Sequence, residues 1–164
     1  MARYVKTVYV LFVLAGLIIL NTCSKEEKVP TQIEPQLEEE VLSLVNTYRK
    51  SNDMDTLVIH DFLTELAREH SQKMAEGKTD IGHDGFENRV DLIIKEIGGG
   101  YVAENVAAGI NNVEIIINGW LESEGHRINI EGDYYLTGIG VVTGKNDFRY
   151  YTQIFLKINH VTLL

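Results

Sequence analysis

The chain has a single cysteine, Cys23, so no pair is available to oxidise and the fold must hold without disulfides. Its two prolines, Pro30 and Pro35, both precede the region of regular hydrophobic periodicity. No cluster of Lys and Arg occurs. After Cys23 all 24 acidic residues stand against 13 basic ones, a formal charge of −11. Phosphate binding needs a cationic patch, so this balance speaks against DNA or RNA as a partner. It speaks equally against adsorption to anionic head groups by charge alone. Catalytic signatures are missing too. "LESEG" lacks the first glycine of G-x-S-x-G and follows a helical pattern. "AREHS" is not H-E-x-x-H, and His70 has no ligand partner at i+4. There is no P-loop, dinucleotide-type glycine pattern, internal repeat or low-complexity tract.

The N-terminus is informative. Arg3 and Lys6 precede an apolar or small run of 13 residues, Val8 to Leu20. That is short for a membrane span and right for the core of a signal peptide. Cys23 follows "LNT" at once and resembles the lipobox cysteine of bacterial lipoproteins, whose thiol carries the lipid, although Thr22 departs from the usual small residue there. "SKEE" at 24–27 resembles a charged signal for the outer face of an outer membrane. The expectation is a signal peptide over 1–22, a lipidated linker over 23–35 and one globular domain over 36–160. The protein would be an extracytoplasmic, outer-membrane lipoprotein exposed at the surface, meeting the membrane through the lipid on Cys23 and otherwise monomeric. The remaining length suits one domain that buries roughly two-thirds of its unfolded surface.

Four stretches carry helical spacing. The first holds Leu37, Val41, Leu44, Val45 and Tyr48, with acids on the other face. The second holds Leu63, Leu66, Ala67, His70 and Met74, with Asp61 as N-cap and Gly77 as stop. The third holds Phe86, Val90, Ile93, Ile94 and Ile97. The fourth holds Val113, Ile116, Ile117, Trp120 and Leu121, capped by Asn111 or Asn112. Later, "YYLTGIGVVTG" and "FRYYTQIFLKI" read as strands joined by a turn at "GKND". "YVAENVAAG" predicts a shorter strand and "TLVIH" another. Early helices and a late antiparallel pair predict an α+β, layered domain.

Polar residues taken singly decide little. His70 lies on an apolar stripe and reads as a hydrogen-bonded structural imidazole, and His60 as a surface or capping residue. His83 sits in the glycine-flanked loop "IGHDGF", where side chains can converge on a site. Glu104 is an isolated carboxylate among small and apolar residues, either solvent-facing or buried with partners such as an imidazole. Asn105 would orient the backbone or Glu104. His126 falls just past the fourth helix, where the dipole favours an imidazolium. Arg127 and Asn129 read as residues that tie off carbonyls at a helix end.

Taken in order, "LAREHSQKMA", "GHDGF", "AENVAAG", "NGWLESEGHRINI", "YYLTGIGV" and "YYTQIF" resemble the CAP superfamily of cysteine-rich secretory, antigen 5 and pathogenesis-related proteins (the SCP domain), in its disulfide-free bacterial branch. The resemblance covers about residues 37–157. It implies a three-layer α-β-α sandwich with a mostly antiparallel central sheet. It also implies a cavity lined by two His and two Glu, onto which His83, Glu104 and His126 map. A second alignment would place Tyr150 at the second His. The fourth position departs from the pattern, with Ser123 where others have Glu and Glu122 or Glu124 one position off. The two imidazoles, His83 and His126, and the carboxylate suit a divalent ion such as zinc, or a metal-free polar cluster that pins the loops.

The expected function is a lipid-anchored ligand-binding module for lipid, envelope or host-surface ligands, and not an enzyme. The rival is a metal-assisted hydrolase of envelope or peptide substrates, with Glu104 as base and His83 and His126 holding metal or charge.

Overall fold

The computed structural model describes residues 30–98, 100–110 and 112–158. The expected signal peptide, the lipidation expected at Cys23 and His160 lie outside these residues. Elements follow as β1 (Gln32–Ile33), α1 (Pro35–Ser51), β2 (Val58–Ile59), α2 (Asp61–Ala75), α3 (Phe86–Ile97), β3 (Gly100–Gly109), α4 (Val113–Glu122), α5 (Glu124–Glu131), β4 (Leu136–Thr143), a 3₁₀ turn (Lys145–Asp147) and β5 (Arg149–Ile158). The sheet runs β1-β4-β5-β3, antiparallel throughout except that β2 pairs β4 in parallel. No described helix is long and apolar enough to cross a membrane.

Alternation along the strands builds the layers, because successive side chains point to opposite faces. Ile139, Val141, Tyr151 and Phe155 turn one way and pack with Val41 and Val45 of α1, Ile116 and Trp120 of α4 and Ile130 of α5. Leu136, Ile154 and Leu156 turn the other way, onto Leu63, Leu66 and Ala67 of α2 and Ile93 of α3. This is the α-β-α sandwich, with helices covering both faces. On the α2 face the strand β4 presents Gly138 and Gly140. A Cβ at Gly140 would stand 2.2 Å from the Arg68 amide nitrogen, and one at Gly138 would stand 2.1 Å from the Leu63 carbonyl carbon. The two glycines let α2 lie directly on the strand.

Several details depart from the sequence reading. The strand through "AEN" is not short: ten residues pair with β5 from Gly100↔Ile158 to Gly109↔Arg149. His60, not Asp61, occupies the α2 N-cap, without a side-chain capping bond. Asn112 caps α4 by accepting from the Ile115 amide at 3.0 Å. Ile94 is exposed while Arg89 is buried. In α1 the acids do not all face solvent. Glu38 is 5% exposed, accepting two bonds from Arg68 (2.8 and 2.5 Å) and one from the Val141 amide. It ties α1, α2 and β4 together.

Candidate functional site

The site lies across the free edge of the sheet, on β3. Glu104 is opposite Ile154 and Asn105 opposite Gln153, so the two neighbours address different faces of the strand. Glu104 turns to the α2–α3 layer, and its side chain is 1% exposed. Such burial requires matched charge. Arg89 supplies it with a bidentate grip, Nε to Oε2 and Nη2 to Oε1, both at 2.8 Å. The same guanidinium donates to the Asp84 carbonyl at 2.9 Å, tying the preceding loop to α3. Gly85, at φ +71°, makes the left-handed turn from which α3 starts.

That loop delivers His83. Its Nδ1 lies 3.0 Å from Glu104 Oε1, and half of its side chain is open to solvent. A carboxylate only accepts, so Nδ1 carries the proton and Nε2 is the nitrogen left for a ligand. From below, His70 Nε2 donates to the Gly82 carbonyl at 2.7 Å, which fixes the loop one residue ahead of His83. His70 is thus the structural imidazole expected.

On the other side of β3, Asn105 donates to the His126 carbonyl at 3.0 Å and accepts from Asn129 Nδ2 at 2.9 Å. Of the two roles expected for it, it takes the first, orienting the backbone of α5, and not Glu104. His126 lies past the end of α4, as expected, but not in a free C-terminal segment. It lies in the first turn of α5, a short helix of its own, so the expected stabilisation of an imidazolium by a C-terminal dipole does not apply. Its pKa is instead lowered from the ordinary value, first by burial and then by the charge of nearby His83. The ring stacks on Trp120 (centroids 6.4 Å, 22° between planes), and its Nδ1 meets Ser123 Oγ at 2.8 Å. Of the three candidates for the fourth position, Ser123 is thus the one that meets His126, while Glu122 and Glu124 are exposed. Trp120 is buried and donates to the Val106 carbonyl at 3.3 Å. Arg127 ties off the α4 end as expected, donating to the Leu121 carbonyl at 2.9 Å. Asn129 reaches β3, through Asn105 and the Glu104 carbonyl. Tyr150 pairs with Ala108, four positions along β5 from the partner of Glu104, and its ring meets Phe148.

Arg89 was missed in the sequence, though a signal exists. It stands three residues after Phe86 and four before Ile93, on the apolar stripe of α3, where a charge must find a partner.

With this geometry in place, the chain can be set beside known proteins. The sequence profile of the CAP, cysteine-rich secretory protein family matches residues 42–155. The chain belongs to this family. Among its relatives, the uncharacterized membrane protein YlbC of Bacillus subtilis is 30% identical over 132 residues, covering 77% of this chain. The chain spans only 36% of that relative's length. An outer surface protein of Borrelia burgdorferi superposes with a TM-score of 0.70 at 22% identity, over 80% of this chain and 99% of that one. An extracellular SCP-domain protein of Bacillus anthracis gives 0.63 at 25% identity, over 76% and 41%. The CAP fold is thus shared with bacterial proteins, and here a single cysteine rules out an intrachain disulfide.

Zinc, which the resemblance implied, can be tested against the donors of this CAP domain. Glu104 spends both oxygens on Arg89, and His126 spends Nδ1 on Ser123. Among the described residues no group of three or more His, Cys, Asp and Glu is placed to hold a metal ion. A three-ligand centre with an open position does not fit this set.

Proposed function

We propose that this CAP domain is an extracytoplasmic binding module and that its ligand meets the edge of β3 between His83 and His126. The observation that carries the reading is the bidentate Arg89–Glu104 pair. A general base needs a lone pair free for the substrate's proton. Glu104 has both oxygens engaged by a cation and one also by His83, an arrangement that suits holding a loop. The groups left for a ligand are then the Nε2 atoms of the two imidazoles. Ile81 and Ile128, each two residues from one of the imidazoles, are 57% and 58% exposed. An amphipathic ligand, with an apolar body and a polar head for the imidazoles, suits that combination.

An extracytoplasmic location is supported by the signal-peptide pattern and by the descriptions of YlbC as a membrane protein and of the B. anthracis protein as extracellular. Lipid attachment at Cys23 belongs to the same proposal, and mass spectrometry of the mature N-terminus tests it.

The binding reading is tested with a fluorescent fatty acid. His83→Ala and His126→Ala should each weaken binding by about tenfold, with no turnover of esters, peptides or glycans by the wild type. Zinc-dependent hydrolysis abolished by both His83→Ala and Glu104→Gln would overturn it in favour of the hydrolase.

A further inference from the structure

A cavity opens at the other end of α5. It measures about 510 Å³, larger than the two others described, of about 360 and 320 Å³. It lies among the C-terminal ends of α1 and α5, the start of β4 and the end of β5. Neither His83 nor His126 lines it. Five residues of helix separate His126 from Glu131 at this end of α5, roughly 7.5 Å along the axis.

The cavity is held open by Arg49. This guanidinium is 3% exposed, and its hydrogen bonds among the described residues go to backbone carbonyls. It donates to the carbonyls of Asp55 (2.7 Å), Ile130 (2.5 Å) and Gly132 (2.9 Å), and at 3.4 Å to Tyr134. Two chain segments, the loop after α1 at Asp55 and the stretch 130–134, are thereby fixed around one cation, giving a pre-formed pocket of ordinary ligand size. The other cation, Lys157, is engaged by Asp133 at 2.5 Å. Four carboxylates thus stand against two cations in the lining: Asp133 holds Lys157, Asp55 lies within reach of the Arg49 charge, Glu131 accepts from the Tyr48 hydroxyl at 2.6 Å, and Asp53 borders the space as well. The lining is acidic overall. It also offers ring surface: Tyr134 is half-buried against Phe155, and Tyr135 is 57% exposed at the mouth. The carboxylates do not cluster as a metal site would.

Dispersed negative charge around aromatic rings is the environment of an organic cation, which gains from the ring quadrupole as well as from the acids. We propose that this cavity binds an organic ammonium group carried on a small apolar body. Such a group could be presented free or on a lipid head group, and both are covered by the same chemistry.

The probe is choline, titrated into the full chain and followed by NMR shifts of the Tyr134 and Tyr135 rings, beside 3,3-dimethylbutan-1-ol, its neutral counterpart of the same shape. Choline should shift both tyrosines saturably and the alcohol should not. Tyr135→Leu and Asp53→Asn should each weaken choline binding by about fivefold, with unchanged melting temperature. Phosphatidylcholine vesicles, compared with phosphatidylglycerol vesicles, separate the head-group source from the free amine: co-sedimentation with the former alone assigns the lipid. Equal response to choline and the alcohol, or binding indifferent to both substitutions, overturns the proposal. His83→Ala should leave choline binding intact, so failure at this cavity and failure of the β3-edge reading are separable.

Discussion

A carboxylate as buried as Glu104 is tolerable only while its charge is answered, and Arg89 answers it almost alone. Removing one partner of a buried pair leaves the other uncompensated, at a cost of about 3–5 kcal/mol. Arg89→Met should therefore lower stability by that amount in urea unfolding. Replacing both partners, Arg89→Met with Glu104→Met, should recover much of the loss, since apolar substitutes for a whole buried pair are often close to neutral. The double variant should nonetheless lose order at His83, visible as sharpened, averaged imidazole resonances. If the double variant proves less stable than the single one, the pair is not the isolated unit described here. At this scale His83, Glu104 and His126 decided little singly, and it was the resemblance to the CAP family that joined them; the structure adds the contact of His83 with Glu104. Glu38 and Arg49 were not readable as buried. A charge at i+3 or i+4 from apolar neighbours looks like an edge-of-stripe residue until its partner, distant in the chain, is known.

Among the elements, the α2–β4 contact is the most exacting, because it sets helix backbone against strand backbone at Gly138 and Gly140. A methyl group at either position cannot be absorbed by rotating a side chain, since the atoms it meets belong to the α2 main chain. Gly140→Ala should cost about 3 kcal/mol, at the upper end of overpacking penalties. It should also shift the Ser71–Thr152 hydroxyl pair, 2.8 Å apart, and the Ser71 bond to the Gly140 carbonyl. Thermal melting of Gly140→Ala against Gly119→Ala, whose added Cβ meets nothing within 4 Å, isolates the effect. A melting temperature equal in the two variants would show that α2 can retreat freely. The four long helices were legible because their apolar stripes persist for three turns or so. Strand β3 was legible in place, from Tyr101 to Gly109, but not as the equal of β5 in length: Ala103, Ala107 and Ala108 have little strand preference, and pairing with β5 holds them extended. Helix α5 escaped notice because its eight residues include Gly125 and offer barely two turns of periodicity. That omission left His126 at a helix C-terminus instead of in the first turn of α5, and reversed the expected direction of its pKa.

For the molecule as a whole, the sandwich could be expected from early helices and late strands, but the order β1-β4-β5-β3 could not. Strands β1 and β2 have two residues each and carry no periodic signal. The assembled layers impose a global property that no single stretch of sequence displays. Two imidazoles, His70 and His126, are held below the ordinary histidine pKa, chiefly by burial. At His70 the Gly82 carbonyl and Glu104 oppose the shift, while Arg89 and His83 add to it. The folded chain therefore refuses protons that the unfolded chain accepts once the pH drops below about 6.5. Stability from these groups is fully present above that value and is lost as acidification approaches the lower folded-state values. Thermal melts should show a declining melting temperature from about pH 7.5 to about pH 5.5. His70→Gln, whose amide can still donate to the Gly82 carbonyl, should flatten part of that decline without abolishing the fold. An unchanged slope in His70→Gln would mean that the titration lies elsewhere, and that the histidine beneath the His83 loop is no more than a spacer.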